Sequence, residues 1–282
     1  MKFSKISAAV MDMDGVLWRG DQALDGMVEL FEWLRESNIP FALATNNSSK
    51  TQADYVAKLA RMGVEDMPEE RIITSAVATA AYLRERYPAG TRMLVVGGNG
   101  IRQALDDSGF DVDDESSDPI EVVVAGIDFG MTYETIKRAT LAVRAGATLI
   151  GTNPDTTFPS PEGLVPGAGS VIGMIEIASD QQATIIGKPH RPMFDIALQV
   201  VGQPAESTLM IGDRLNTDIE GGQAVGMQTA LLFTGVTQPQ ALIDPDNAIS
   251  PDVAYEGLPE LLKAWAGDKW YLDKLKIKRG RA

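Results

Sequence analysis

Residues 6–17 read Ile6-Ser-Ala-Ala-Val-Met-Asp12-Met-Asp14-Gly15-Val-Leu17, an apolar run ending in two carboxylates one residue apart, with a glycine directly after them. Alternate side chains on a strand share a face, so Asp12 and Asp14 leave the strand on the same side. Gly15 allows a sharp turn and is expected to leave backbone amides open to a ligand. A carboxylate pair at the carboxyl end of a buried strand suits a hard cation and a phosphate ester. One carboxylate can attack phosphorus while the other moves the leaving group's proton. A solvated acidic turn has the same local sequence, so the segments further along must decide.

Working outward, short apolar strands alternate with helical patterns, which favours a parallel α/β architecture. Met27, Leu30, Phe31 and Leu34 fall on one helical face. Ile39 to Thr45 reads as the second strand, Thr51 and Asp54 as a capping box, Gly63 as a helix end, and Ile72 to Ser75 as the third strand. A fresh series follows, with strands at 92–96, 121–126, 147–151 and 183–187 and helices between them. The Gly/Pro/Ser-rich stretch 151–169 reads as long loops. Strands at 208–211 and 228–233 close the pattern.

The chain has 282 residues, 44% hydrophobic and 23% charged, enough for one large or two medium domains. A net charge of −14 argues against nucleic acid as a partner, though a bound cation can reverse the sign locally for a phosphate. Zero cysteines and one histidine exclude a cysteine nucleophile, a Cys/His zinc cluster and a multi-histidine dimetal centre. Any metal must be held by oxygen, which points to magnesium or another hard ion. His190, in Lys188-Pro-His-Arg, lacks the partners of a histidine nucleophile and reads as a residue near the site mouth. No apolar stretch approaches the ~18 residues needed to span a bilayer, and no signal pattern follows Lys2 and Lys5, so the chain reads as soluble and cytoplasmic. Residues 268–282 are basic and include Trp270 and Tyr271. Such an end either meets an anionic partner or packs back on its own acidic body.

Phosphoryl transfer needs a nucleophile, a proton carrier, donors for the phosphoryl oxygens and positive charge. The sequence offers each after a strand or at a helix start. Asp12 is the candidate nucleophile and Asp14 the acid/base. Thr45-Asn46-Asn47-Ser48 can bind phosphoryl oxygens, and Gly187-Lys188-Pro189 supplies a cation. Gly212-Asp213, with Asp218 beyond it, presents acids suited to a magnesium ion.

In this order the segments resemble the four motifs of the haloacid dehalogenase superfamily, over about residues 6–265. The resemblance implies a Rossmann-like core with a parallel sheet and an inserted α/β cap of the second type. It also implies an aspartyl-phosphate on Asp12, with Asp14 protonating the leaving group and then activating water. Mg²⁺ would be held by Asp12, the Asp14 backbone carbonyl, Asp213 and Asp218. Asp14 favours a phosphatase, since the superfamily's dehalogenases and transport ATPases lack an acid there. Asn46 to Ser48, Thr74-Ser75, Gly151-Thr-Asn-Pro-Asp155 and Gly163 to Ser170 resemble the NagD-like 4-nitrophenylphosphatase and phosphoglycolate phosphatase group.

The implied organisation is core 1–78, cap 79–186, core 187–266 and tail 267–282. Gly15, Asn46, Asn153 and Asp155 are the candidate substrate contacts, although Asn-Pro-Asp also reads as a tight turn that only shapes its loop. The implied partner is a small phosphorylated metabolite; monomer and homo-oligomer both stay open. The alternatives are a phosphotransferase or phosphomutase on the same core, a non-catalytic metabolite-binding protein, and a dinucleotide enzyme using Gly97-Gly-Asn-Gly100. The last lacks a third glycine, because Gln103 stands where it belongs.

Overall fold

The computed structural model describes residues 2–112, 119–160 and 162–279. Contacts divide the chain into two compact units, Met1–Ala44 with Val56–Ile72 and Ala197–Ala282, and Thr45–Tyr55 with Ile73–Ile196. The second unit takes in the inserted stretch 79–186 together with 45–55, 73–78 and 187–196.

A six-stranded sheet, to which the first unit contributes all strands but most of the last, runs in the order Val253–Tyr255, Gln228–Leu232, Thr208–Gly212, Ala8–Met11, Phe41–Thr45, Ile72–Thr74. Every residue of Ala8–Met11 is buried, as expected for a strand covered on both faces. It pairs in parallel with both neighbours, with Met11 level with Ile211 on one side and Leu43 on the other. The chain builds outward from this strand in one direction and later returns to build in the other. Ala8–Met11 therefore borders the topological switch point, where open parallel sheets bind ligands beyond their carboxyl ends. The register makes Asp12, one residue past Met11, and Gly212, one past Ile211, neighbours at that edge.

Helix Met27–Glu36 buries Met27, Leu30, Phe31 and Leu34, the face its spacing predicts. Thr51 and Asp54 form the expected capping box, Asp54 Oδ2 accepting from the Thr51 amide at 2.9 Å and Thr51 Oγ1 from the Asp54 amide at 3.2 Å.

The second unit holds a four-stranded parallel sheet in the order Thr184–Ile185, Thr148–Gly151, Val122–Ala125, Met93–Val96. Val96, Val123, Ala125 and Leu149 from this sheet pack against Ala139, Val171, Ile172 and Ile175 from helices Tyr133–Arg144 and Ala168–Ser179. The reading of 151–169 as loops alone needs correction. Thr157–Ser160 and Gly163–Pro166 pair as an antiparallel hairpin. Prolines at 159 and 166 and glycines at 163 and 167 hide it from a pattern search.

The basic end packs back as far as Lys274, beyond which its side chains lie outside the described ones. Asp268–Arg279 is a helix, and Trp270 Nε1 donates to Glu36 at 3.1 Å. Lys274 bonds Glu36 and lies 3.3 Å from Glu32. Trp33 meets Trp265 at 4.6 Å and Trp270 at 6.4 Å, so an aromatic cluster backs the ion pairs. The Lys274 hydrogen bond holds the Glu36 carboxyl below its ordinary range, and Glu36 in turn raises Lys274. The Glu36 contribution is thus present above the ordinary carboxylate value and lost as pH falls through the lowered one. That of Lys274 is present below the ordinary amine value and lost as pH rises through the raised one. Substituting Lys274→Met is expected to loosen this helix at pH 7 by no more than about 1 kcal/mol, as half-exposed pairs do. Amide-exchange protection over 268–274 should fall at pH 7, and the difference from wild type should vanish at pH 2.

Candidate active site

Three carboxylates converge in the first unit. One oxygen each from Asp12, Asp213 and Asp218 lie within 4.8 Å of one another, and the residues are 9%, 1% and 1% exposed. Each arrives by a different local device. Asp12 follows the central strand, its amide bonded to Ile211 O at 2.9 Å. Asp213 follows Thr208–Gly212, and its Oδ2 accepts the Val236 amide at 2.7 Å. Asp218 sits in a π-helical turn, Leu215–Ile219, that curls it back to accept the Asp213 and Arg214 amides at 3.2 and 3.1 Å. A Cβ on Gly212 would lie 2.1 Å from Asp218 Cβ, so only glycine admits this return. Buried like charges this close repel unless a cation sits among them, and an all-oxygen donor set suits a hard divalent ion. The residues fit a metal.

Asp14 is exposed, and its Oδ1 accepts the Trp18 indole N–H at 2.8 Å. Gly15 has φ +86, and its amide donates to Trp18 O at 2.8 Å. The Gly15 amide itself is thus engaged inside the turn. What the position demands is a left-handed residue without a side chain, since a Cβ there would stand 2.6 Å from Asp213 Oδ2.

The second unit gathers the other expected site residues. Thr45 ends its strand buried, and its Oγ1 accepts the Asn47 amide at 3.2 Å, which leaves the hydroxyl proton to donate. Asn46 is committed inside the protein. Its Nδ2 donates to Lys188 O at 2.9 Å and to Asp155 Oδ2 at 3.1 Å, and its Oδ1 accepts the Lys188 amide at 2.8 Å. Asn153 Nδ2 donates to Asn46 O at 2.7 Å, and Asn153 Oδ1 accepts the Asp155 amide at 3.1 Å, an Asx turn. Lys188 is 2% exposed, carried by a backbone that the Asn46 amide clasps at both N–H and C=O. Sequence reading placed Asn46 beside the substrate and missed this clasp, because nothing in the sequence near 46 signals a partner near 188.

The glycines at 97–100 have a packing explanation. A Cβ on Gly100 would lie 2.5 Å from Lys50 O and 2.6 Å from Ser48 O, so the helix Asn99–Asp107 abuts the 48–50 loop through its glycine. Their use as a dinucleotide cradle loses its motivation.

Comparison with known proteins agrees with this geometry. Residues 9–111 match the family described as haloacid dehalogenase-like hydrolase, and residues 185–261 match a second model of HAD-hydrolase-like type. An acid sugar phosphatase of Staphylococcus haemolyticus is 37% identical over 84% of this chain and 89% of that protein. A 4-nitrophenylphosphatase from Thermotoga maritima superposes with TM-score 0.87 at 36% identity, covering 93% of this chain and 98% of the other. NagD from E. coli K-12 gives TM-score 0.82 at 30% identity, covering 92% and 98%. The chain belongs to the haloacid dehalogenase-like hydrolases, within their NagD-like phosphatase branch. No helix among the described residues is long and apolar enough to cross a membrane.

The Gly15→Ala variant combines a disfavoured φ with a clash against Asp213 and should lose more than about 1 kcal/mol of stability. Calorimetric titration with Mg²⁺ should show weaker binding than in wild type. Unchanged stability and binding would show that the turn tolerates a Cβ.

Proposed function

We propose that this chain is a Mg²⁺-dependent phosphomonoesterase that hydrolyses small soluble phosphate esters through an aspartyl-phosphate on Asp12. The convergence of Asp12, Asp213 and Asp218, with Asp14 two residues from the nucleophile, is the observation that carries the reading. Asp12, Asp213, Asp218 and the Asp14 backbone carbonyl are the groups that would hold the ion. When bound, Mg²⁺ offsets the charge of the carboxylates and of the phosphoryl oxygens.

In the first half-reaction an Asp12 carboxylate oxygen bonds to phosphorus while the ester P–O bond breaks. The bonding pair goes to the leaving oxygen, which takes the proton of the Asp14 carboxyl. Asp14, now a carboxylate, next accepts a proton from water as the water oxygen attacks phosphorus. The bond to Asp12 breaks, its carboxylate is restored and inorganic phosphate departs. Thr45 donates its hydroxyl proton to a phosphoryl oxygen, and the Lys188 ammonium balances charge that grows in the transition state. Asn46 acts through Lys188 by fixing its backbone. Sugar phosphates head the candidate substrates, since the staphylococcal relative is named for them, with other small esters behind. A cysteine-free chain is compatible with the reducing cytosol, where we place it.

Phosphate release from a panel of sugar, nucleotide and aryl phosphates tests the reading. Release should require Mg²⁺, stop with EDTA and vanish in Asp12→Asn. Lys188→Ala should cost about a hundredfold to a thousandfold in kcat. Turnover by purified Asp12→Asn near the wild-type rate would refute the covalent mechanism.

A further inference from the structure

Trp18 and Lys58 have no part in the chemistry described so far, yet their placement is specific. Trp18 is fully buried, but its indole N–H emerges at the exposed carboxylate of Asp14, 2.8 Å from Oδ1. An indole can only donate, so the bond orients the carboxylate without competing for its proton. The length is that of a well-formed N–H···O hydrogen bond. Behind the ring lies Lys58, only 7% exposed, with Nζ 4.3 Å from the ring centroid. The same Nζ donates to Gly20 O at 2.8 Å. Gly20 closes the hairpin of Trp18–Arg19 with Gln22–Ala23. One ammonium group thus pins the indole face and the turn that carries it. A cation over the face draws electron density from the ring and strengthens the N–H as a donor.

We infer that Trp18 is a positioning residue for Asp14, holding one carboxylate oxygen so that the other faces the leaving group, and that Lys58 holds and polarises Trp18 from behind. This rests on the reading of Asp14 as the proton carrier. An exposed aspartate with two free torsions samples several rotamers, and a bond to Oδ1 from a buried, ion-backed ring selects among them. The benefit is confined to proton delivery, so it depends on how much the leaving group needs a proton.

The test compares kcat/KM, which reports the phosphorylation step, for 4-nitrophenyl phosphate and for an alkyl phosphate such as glycerol phosphate. A nitrophenolate departs without help, whereas an alkoxide needs the proton. In Trp18→Phe, which keeps the ring and loses the N–H, the alkyl ester should lose about tenfold or more while the nitrophenyl ester changes less than about threefold. Lys58→Met should shift the same ratio in the same direction by a smaller factor. Equal losses on both esters, or none on either, would overturn the inference and leave the phosphatase reading standing. A wild-type protein inert toward every ester would instead refute that reading, and this one with it. Should Trp18→Phe fail to fold, the wild-type indole N–H resonance decides. It should move upfield in Asp14→Ala, where the acceptor is gone, and an unmoved resonance overturns the inference.

Discussion

The mutual repulsion of three buried carboxylates is the constraint around which the first unit is organised. At separations below 4.8 Å, unit charges repel by about 3–4 kcal/mol per pair at an effective dielectric near 20. No chain keeps that arrangement for stability alone. Part of the cost is met locally, because the amides of Asp213, Arg214 and Val236 all donate to Asp213 or Asp218. A cation among them would offset the rest, since the repulsion that makes three bare carboxylates costly favours a divalent ion. The strand register, the π-helical turn at 215–219 and the glycines at 15 and 212 all serve to let these oxygens approach.

The second unit solves a different problem. Lys188 lies 142 residues beyond Asn46, and the whole four-stranded sheet intervenes in sequence. An asparagine amide presents a donor and an acceptor side by side, matching the C=O and N–H of one residue. The Asn46–Lys188 clasp therefore fixes the lysine to the loop after Thr45 whatever lies between them. Asn153, donating to the Asn46 carbonyl, ties the Asn-Pro-Asp turn to the same loop. A stretch of chain held at its ends in this way can change its internal loops while Asn46 and Lys188 keep their places.

Much of this was legible in the sequence, for a physical reason. Buried parallel strands are short apolar runs, and ligands of open parallel sheets bind beyond their carboxyl ends, so the strand-end positions of Asp12, Thr45 and Asp213 are legible from the sequence. Asp218 follows once Asp213 is recognised. The hairpin at 157–166 stayed hidden because prolines and glycines mask its alternation, and Val253–Tyr255 because three residues carry no period. The partner of the Gly15 amide, the Trp18 carbonyl, was not legible because it depends on a turn no local rule specifies. Trp18 itself gives no sequence signal, since a tryptophan near a strand end ordinarily reads as core.

Asn46 shows how a residue read from its position can also be held by the protein's own hydrogen bonds. It neighbours Thr45, the proposed donor to a phosphoryl oxygen, and is polar, so a substrate contact is the natural reading. The hydrogen-bond inventory gives the other role. Both Nδ2 protons and the Oδ1 are engaged within the protein, and an aspartate there would face the Lys188 carbonyl and the Asp155 carboxylate with no proton to offer. Chemistry inside the loop network fixes the residue type, with no ligand needed to explain it. Asn153 is in the same state, its amide donating to Asn46 O and its Oδ1 receiving Asp155 N–H. Discrimination among esters must then come from side chains whose polar atoms are not already committed to holding the loops together. Those near Thr45 and Lys188 hold both residues in place whatever the leaving group, so on the proposed mechanism one arrangement would serve different esters without being rebuilt.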